Sequence, residues 1–232
     1  MDKVSIVLPI YNEKDTIESV LSEWKKELEK NKIDYTFIGC EDGSTDGTAE
    51  LLKKLEKKFR LTLDQKAIRR GYGGAVIDGI NVSKTNYVLC IDSDGQCDPR
   101  DFSKFWKQRD KSDVLIGWRV KRRDSFHRKI YSKSFKTVFK FIFPTRVHDP
   151  SAPYVLFKKK TIIPYIAYLR YLKEGFWWGF IGMCTKKNLS LKEIPVNHRN
   201  RKTGSTHVYK LEKIIDIAIR NLVGLFRLRL LK

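Results

Sequence analysis

Short β-strand patterns alternate with helical patterns along this 232-residue chain. Apolar runs rich in β-branched residues predict strands at residues 4–9, 35–40, 61–63, 87–91, 113–117 and 191–196. Amphipathic patterns predict helices at residues 16–30, 48–58 and 72–82, the first of them capped by Asp15. Strands that alternate with helices of this length are typical of β-α-β units. The sequence therefore predicts an α/β fold, Rossmann-like, with a mainly parallel sheet flanked by helices.

Polar side chains follow three of the predicted strands at the point where each strand ends. Tyr11 and Glu13 come after the first strand, Asp42 after the second, and Asp92 and Asp94 after the strand at residues 87–91. In open parallel sheets, ligands bind beyond the carboxyl ends of the strands. We therefore expect these side chains to converge on one site.

Asp92 and Asp94 form a D-x-D pair, and Gln96 adds a third oxygen donor two residues on. Two close carboxylates repel each other unless a divalent cation lies between them, and hard oxygen ligands suit Mg²⁺ or Mn²⁺. The alternative is an Asx-rich turn after a strand, because Ser-Asp-Gly sequences form turns. The pair alone is too short to decide between a metal site and a turn.

Basic residues dominate the charge of the chain. It has 47 Lys and Arg against 27 Asp and Glu, which gives a net charge of +20. A charge of this size attracts polyanions, whether nucleic acid, an anionic membrane surface or phosphorylated substrates. Arg69-Arg70-Gly71 precedes a predicted helix and is a candidate anion contact, with a solvated connection as the alternative.

Four cysteines without a C-x-x-C pair indicate buried free thiols in a reducing compartment. We expect no N-terminal signal, because a predicted strand begins directly after the first residues. We also expect no membrane span, since the longest uncharged stretch falls short of the roughly 18 apolar residues that a spanning helix needs.

Residues 118–143 interleave basic and aromatic side chains, with aromatic residues every fourth position at Tyr131, Phe135, Phe139 and Phe143. This spacing predicts a helix whose aromatic face either lies on an anionic membrane or packs on the sheet. Residues 211–232 predict a second amphipathic helix. Its apolar face is formed by Ile214, Ile215, Ala218, Leu222, Leu225 and Phe226. That helix packs on the core or on a partner subunit, or lies at a membrane interface.

Four motifs recur in a fixed order. They are Pro9-x-Tyr11-Asn12-Glu13, Glu41-Asp42-Gly43-Ser44-x-Asp46-Gly47-Thr48, Gly71-x-Gly73-x-Ala75 and Asp92-x-Asp94-x-Gln96. In their order and spacing the chain resembles the inverting family 2 glycosyltransferases. Within that family it is most similar to polyprenyl-phosphate sugar synthases of the dolichol-phosphate mannose type. The resemblance spans residues 1–120 and continues more loosely to Gly204.

The resemblance implies a GT-A fold in residues 1–210, with a nucleotide-sugar half at 1–118 and an acceptor half at 119–210, before the helix at 211–232. It implies a UDP- or GDP-sugar as donor and Mg²⁺ or Mn²⁺ as cofactor. The residues implied to contact the nucleoside are Pro9, Tyr11, Glu13 and Asp42. Arg70 and Gly71 are implied to lie near the phosphates. The metal and the diphosphate would be held by Asp92, Asp94 and Gln96.

On the acceptor side, the resemblance implies that Arg119, Arg128 and Ser132 hold a lipid phosphate. The family often has R-x-x-G-x-S-K near the end of this region. Here Arg201 and Gly204 match, while Thr206 and His207 replace the Ser and the Lys. The candidate catalytic residues are thus Asp94, Arg119, Arg128 and Arg201.

The expected function is metal-dependent transfer of a sugar, with inversion, from a nucleotide-sugar to a polyprenyl phosphate. One alternative is a family 2 transferase acting on a saccharide hydroxyl, which would need Asp149 or Glu174 as a base. A distant alternative is a basic nucleic-acid-binding module; strand-end carboxylates argue against it, and no nucleic-acid partner is expected. We expect a cytoplasmic protein, peripheral on the cytoplasmic face of the membrane, with a membrane protein or a second copy as further candidate partners.

Overall fold

The computed structural model describes residues 2–120, 135–172, 175–201 and 214–231. Seven strands form one sheet in the order β3-β2-β1-β4-β6-β5-β7. In chain order the strands are β1 (Lys3–Ile10), β2 (Asp34–Asp42), β3 (Leu61–Lys66), β4 (Tyr87–Cys90), β5 (Val114–Arg119), β6 (Val155–Lys158) and β7 (Leu191–Val196). All neighbouring pairs are parallel except the two that β6 forms, with β4 and with β5. The predicted α/β fold with a mainly parallel sheet is confirmed.

Helices cover both faces of this sheet. They are α1 (Ile17–Lys30), α2 (Thr48–Phe59), α3 (Tyr72–Val82), α4 (Phe102–Trp106), α5 (residues 135–142), α6 (Lys159–Ile162), α7 (Phe176–Lys186) and α8 (Ile214–Leu230), with short 3₁₀ turns at Pro99–Asp101 and Ile163–Tyr171. Helices α1, α2 and α4 pack on one face, and α3, α5, α7 and α8 on the other. The protein thus has three layers.

The central strands are apolar on both faces because helices cover both. In β1, Val4, Ile6 and Leu8 pack in the core layer shared with α1 and α2, while Val7 points to the opposite core layer with α3 and α7. Side chains alternate between the faces of a strand, so an almost continuous apolar run is what a doubly covered parallel strand requires. This is why the strand predictions in the first half of the chain are confirmed.

Strand β6, the helices α4, α6 and α7 and the two 3₁₀ turns were not predicted from the sequence. Strand β6 has four residues and inserts antiparallel between β4 and β5. Helix α7 covers the aromatic stretch that begins at Phe176, and eight of its 11 residues are buried. The predicted N-cap was wrong by one residue, because Thr16 rather than Asp15 precedes α1 and neither side chain caps it.

The aromatic face of α5 packs on the core rather than facing solvent. Phe139 and Phe143 are fully buried, and the Phe135 and Phe139 rings contact the Trp178 ring of α7. For these side chains, the core-packing reading of residues 118–143 is correct. Phe141 points the other way and is exposed.

All four cysteines are buried as free thiols, as the sequence predicted. Among the helices of the described ranges, none combines the length and the apolar character of a membrane span.

Strand direction brings the predicted site residues to one edge of the sheet. The carboxyl ends of β1, β2, β4, β5 and β7 point the same way. Because β6 is antiparallel, its first residue lies at that edge too, where Val155 pairs with Cys90. The loops that follow the parallel strands and the loop that precedes β6 therefore surround a common space.

Helix α3 approaches the sheet more closely than a side chain at Gly79 would permit. A Cβ atom there would lie 2.4 Å from Cγ1 of Val7 and 2.6 Å from Sγ of Cys40. We predict that Gly79→Ala lowers the free energy of unfolding by about 1–3 kcal/mol through overpacking. Urea denaturation measures it, with Asn81→Ala on the exposed side of the same helix as the control. Equal midpoints for the two variants would contradict the close packing.

Candidate active site

A cleft of about 270 Å³ opens at the carboxyl edge of the sheet. The sequence-predicted residues that line it are Pro9, Tyr11, Glu13, Asp42, Asp92, Asp94, Gln96, Arg119 and Arg201. The structure thus brings together residues that are far apart in the sequence, as the strand-end argument expects. Arg128 and Ser132 lie outside the described residues, as do Glu174, Gly204, Thr206 and His207.

One end of the cleft is formed by an aromatic ring, a guanidinium and a buried carboxylate. The guanidinium carbon of Arg69 lies 3.6 Å from the centroid of the Tyr11 ring. Asp42 accepts hydrogen bonds from the backbone N–H of Arg70 at 2.6 Å and of Gly71 at 3.0 Å. Asp42 therefore fixes the turn before α3, and that turn places Arg69 over Tyr11.

Arg70 does not line the cleft, and Gly71 lies outside its lining as well. The Arg70 guanidinium turns back towards the sheet, where it contacts Asp64 and donates a 2.7 Å hydrogen bond to Asp78. These carboxylates neutralise the partly buried guanidinium of Arg70, which the family resemblance implied to lie near the phosphates. Arg69 is the arginine of the pair that reaches the cleft.

An ion pair between a buried carboxylate and a partly exposed guanidinium connects the first loop of the chain to the segment after β7. Nη2 of Arg201 donates to Oε1 of Glu13 at 2.6 Å, and the Thr16 hydroxyl donates to Oε2 at 2.6 Å. Burial raises the pKa of Glu13, against the opposing effects of Thr16 and Arg201. Glu13 thereby holds Arg201 at the wall of the cleft.

The D-x-D pair lies directly beyond β4, and Asp92 is held by a chain of hydrogen bonds. The Tyr72 hydroxyl donates to Oδ1 of Asp92 at 2.7 Å, and Nε1 of Trp177 donates to that hydroxyl at 2.7 Å. Burial and the nearby Asp94 carboxylate raise the pKa of Asp92 to about 7. A carboxylate in this setting gains from a cation beside it.

Asp94 and Gln96 form a turn that is hydrogen-bonded to the segment after β7. Oδ1 of Asp94 accepts from the backbone N–H of Gln96 at 3.0 Å, so the Asx turn considered from the sequence is present. Nε2 of Gln96 donates to the Arg199 carbonyl at 3.2 Å, and Arg199 N–H donates to the Gln96 carbonyl at 3.0 Å. The turn therefore presents the D-x-D carboxylates from a fixed backbone, which does not exclude their binding a metal.

The donor set at this turn fits a hard divalent cation. Asp92 and Asp94 offer carboxylate oxygens, which are ligands of the type that Mg²⁺ and Mn²⁺ prefer. Within the described ranges, no three His, Cys, Asp or Glu side chains cluster as a preformed metal centre. Two carboxylates leave further coordination positions of such a cation to oxygens from a ligand or from water.

Arg119 also lines the cleft and is held by Asp149. Nε and Nη2 of Arg119 donate to the two carboxylate oxygens of Asp149 at 2.7 and 2.9 Å, and Nη2 also donates to Ser151 at 2.9 Å. The two side chains are only 9% and 5% exposed. Asp149 is fixed in turn, because its backbone N–H donates to Glu193 at 2.9 Å. The geometry is that of a bidentate pair, which orients the guanidinium.

Sequence reasoning missed Tyr72 and Trp177 as supports of Asp92. Trp177 lies in the aromatic stretch Phe176-Trp177-Trp178, for which core packing is the ordinary explanation. The usable signal was chemical, because a buried indole N–H and a buried phenol each require a hydrogen-bond partner. Which partner they find depends on how α3 and α7 pack, and that packing is not visible in the sequence.

The model of the family described as Glycosyl transferase family 2 matches residues 5–165. Dolichyl-phosphate beta-glucosyltransferase of Dictyostelium discoideum is 26% identical over 251 residues, covering 97% of this chain and 77% of that protein. Undecaprenyl-phosphate 4-deoxy-4-formamido-L-arabinose transferase of Proteus mirabilis is 28% identical over 136 residues, covering 57% of this chain but only 42% of that protein.

Solved structures share the fold at low sequence identity. Glucosyl-3-phosphoglycerate synthase from Mycobacterium tuberculosis, in complex with Mn²⁺, UDP-glucose and phosphoglyceric acid, has a TM-score of 0.72 at 17% identity, covering 98% of this chain and 80% of that chain. Mannosyl-3-phosphoglycerate synthase from Rubrobacter xylanophilus has a TM-score of 0.66 at 15% identity, covering 97% and 73%. These similarities establish the GT-A-like architecture. The family model covers more than half of the residues, and the chain therefore belongs to glycosyl transferase family 2.

Proposed function

We propose that this glycosyltransferase moves a sugar from a nucleotide-sugar donor to a polyprenyl phosphate, with inversion at the anomeric carbon and with help from a divalent cation. The observation that carries the proposal is the composition of the cleft. The D-x-D carboxylates lie in the same cleft as Tyr11 and Asp42 and as two arginines, Arg119 and Arg201. This set can bind a nucleoside, a metal-bound diphosphate and a second phosphate.

The names of the relatives support the donor and acceptor classes. The Dictyostelium protein that aligns with 97% of the chain is a dolichyl-phosphate beta-glucosyltransferase, and the Proteus protein acts on undecaprenyl phosphate according to its name. The mycobacterial structure of the same fold contains Mn²⁺ and UDP-glucose. A UDP-sugar is therefore the first donor to test, with a GDP-sugar as the alternative.

Asp92 and Asp94 would hold the cation, with Gln96 as the third predicted donor. When bound, Mg²⁺ or Mn²⁺ would neutralise the negative charge that develops on the departing nucleoside diphosphate. On the nucleoside side, Asp42 and the Tyr11–Arg69 pair would contact the base and ribose, with Pro9 beside them in the cleft wall.

Arg119 and Arg201 would orient the acceptor phosphate, each steadied by a buried carboxylate, Asp149 and Glu13 respectively. Arg128 and Ser132 stay predicted contacts of the same phosphate. A phosphate monoester, with a second pKa of about 6, is largely ionised near neutral pH, so it carries its own nucleophilic charge. It would attack the anomeric carbon from the face opposite the leaving group, and no general base is required.

A saccharide hydroxyl acceptor is the second candidate and would require a base. Asp149 is poorly placed for that role, because Arg119 occupies both of its carboxylate oxygens. The favoured assignment of Asp149 is therefore to position Arg119. Because the proposed acceptor is a membrane lipid, we also propose that the protein works peripherally on the cytoplasmic face of a membrane.

The direct test is transfer of labelled sugar from UDP- and GDP-sugars into polyprenyl phosphate with Mn²⁺ or Mg²⁺. We expect labelled lipid whose anomeric configuration, measured by NMR, is opposite to that of the donor. Asp94→Asn should lower the rate by about two orders of magnitude or more, because charge neutralisation at the leaving group is lost. Asp15→Asn, an exposed carboxylate outside the cleft, is the matched control. Donor hydrolysis without labelled lipid would reject the lipid phosphate as acceptor.

Tyr72→Phe tests whether the hydrogen-bond chain positions a metal ligand. Removing the hydroxyl leaves Asp92 and Trp177 without their shared partner, and we expect Mn²⁺ affinity to fall about tenfold. Calorimetry with Mn²⁺ and without acceptor measures this apart from turnover. Tyr165→Phe, a tyrosine stacked on Tyr168 outside the cleft, should leave the affinity unchanged. Equal affinities of the Tyr72 variant and the wild type would rule out the positioning role.

Asp149→Asn separates the two acceptor classes. If Asp149 positions Arg119, the variant should raise the KM for polyprenyl phosphate about tenfold, within the range seen when a residue that orients a binding side chain is replaced, and change kcat much less. If Asp149 is a base, kcat should collapse at every acceptor concentration, and the pH profile should lose its acidic limb. The second result would favour a hydroxyl acceptor.

A further inference from the structure

Helix α8 has a second apolar stripe that faces solvent. Its buried face includes Ile217, Leu225 and Leu228, and the last two join the core on the α7 side of the sheet. Phe226, predicted to share one apolar face with Leu222 and Leu225, is 52% exposed, together with Ile219 at 55%, Val223 at 45% and Leu230 at 81%. At about 100° per residue, these four exposed side chains fall within an arc of about 60° on one side of the helix.

Arginines flank this solvent-facing stripe on both sides. On a helical projection, measured from the centre of the stripe, Arg220 and Arg227 lie about 90° and 70° to one side and Arg229 about 90° to the other. All three are exposed, and Arg220 also pairs with Asp216 one turn earlier. An apolar stripe bordered by guanidiniums is the arrangement of a helix that lies in the plane of an anionic lipid interface.

The helix is held firmly enough to act as a fixed docking face. Nζ of Lys186, at the end of α7, donates to the carbonyls of Leu228 and Arg229 at 2.9 Å each and also contacts the Leu231 carbonyl. These bonds anchor the last turn of α8, where the carbonyls lack helical partners. The stripe therefore projects from a rigid element of the catalytic domain.

We propose that the stripe formed by Ile219, Val223, Phe226 and Leu230 docks the enzyme on the surface of an anionic lipid bilayer. The flanking arginines and the net charge of +20 select this occupant, because lipid phosphates complement them. A second copy of the chain is disfavoured, since an isologous contact would bring two sets of like-charged arginines together. The inference rests on the proposed function, in which the acceptor is a membrane lipid.

The test is co-sedimentation with vesicles that contain neither donor nor acceptor, made of phosphatidylcholine alone or of equal parts phosphatidylcholine and phosphatidylglycerol. The wild type should bind the anionic vesicles more tightly, and less so as salt rises. Phe226→Ser/Leu230→Ser should weaken this binding about tenfold or more, because two apolar contacts are lost. Arg227→Gln/Arg229→Gln should weaken it about fivefold per arginine. Ile68→Ser is the matched control, since Ile68 is 84% exposed but lies outside α8.

Two results would overturn the docking surface. One is wild-type protein that does not bind anionic vesicles, or a stripe variant that binds as the Ile68→Ser control does. The other is a wild-type dimer in sedimentation equilibrium that dissociates in the stripe variant, which would assign the stripe to a second copy.

Failure of the docking surface and failure of the proposed function give different results. The stripe variant should keep transfer to a short-chain polyprenyl phosphate dissolved in detergent and lose transfer to acceptor embedded in vesicles. Stripe-dependent vesicle binding without sugar transfer to any acceptor would reject the proposed function and leave the docking surface standing. Transfer that is equal in detergent and in vesicles for the stripe variant would reject the docking surface alone.

Discussion

Several carboxylates are gathered at one edge of the sheet, and the structure depends on giving each of them a partner. Burying a charged group is costly unless it is paired and hydrogen-bonded. Here the partners come from distant parts of the chain. Glu13 is paired with Arg201 across 188 positions, and Asp149 with Arg119 across 30. Asp92 receives its hydrogen bond from Tyr72, which in turn is bonded to Trp177. The cleft therefore forms only when the strands, the loops and α7 are all in place.

The arginines of this strongly basic chain occupy three different settings. Arg70 is enclosed by Asp42, Asp64 and Asp78 and serves the structure. Arg119 and Arg201 are each paired with one carboxylate and still line the cleft. The exposed arginines of α8 are a third group, which lies outside the cleft. The net charge of the chain is a sum over all three groups of arginines and does not distinguish between them.

Local pattern predicted the strands and helices of the first half of the chain well, because a buried parallel strand and an amphipathic helix each leave a periodic signal. The same logic located Tyr11, Glu13, Asp42, Asp92 and Asp94 at one edge, since the direction of parallel strands decides where their ends lie. Strand β6 was not predicted, because four residues carry little periodic signal and its position depends on pairing with β4 and β5. Which of Arg69 and Arg70 lines the cleft could not be predicted for a similar reason. It depends on Asp64 and Asp78, which lie on a strand and a helix on either side of the turn.

The close contact of α3 with the sheet sets the precision of the cleft. Gly79 lies against Val7 and Cys40, and seven residues earlier on the same helix Tyr72 reaches Asp92. Because a helix rises about 1.5 Å per residue, the two contacts are about 10 Å apart along one rigid rod. A shift of the helix at its packed end is transmitted to the hydroxyl at the other. The tolerance of the D-x-D geometry is thus fixed, in part, by a hydrogen atom in place of a methyl group at a position outside the lining of the cleft.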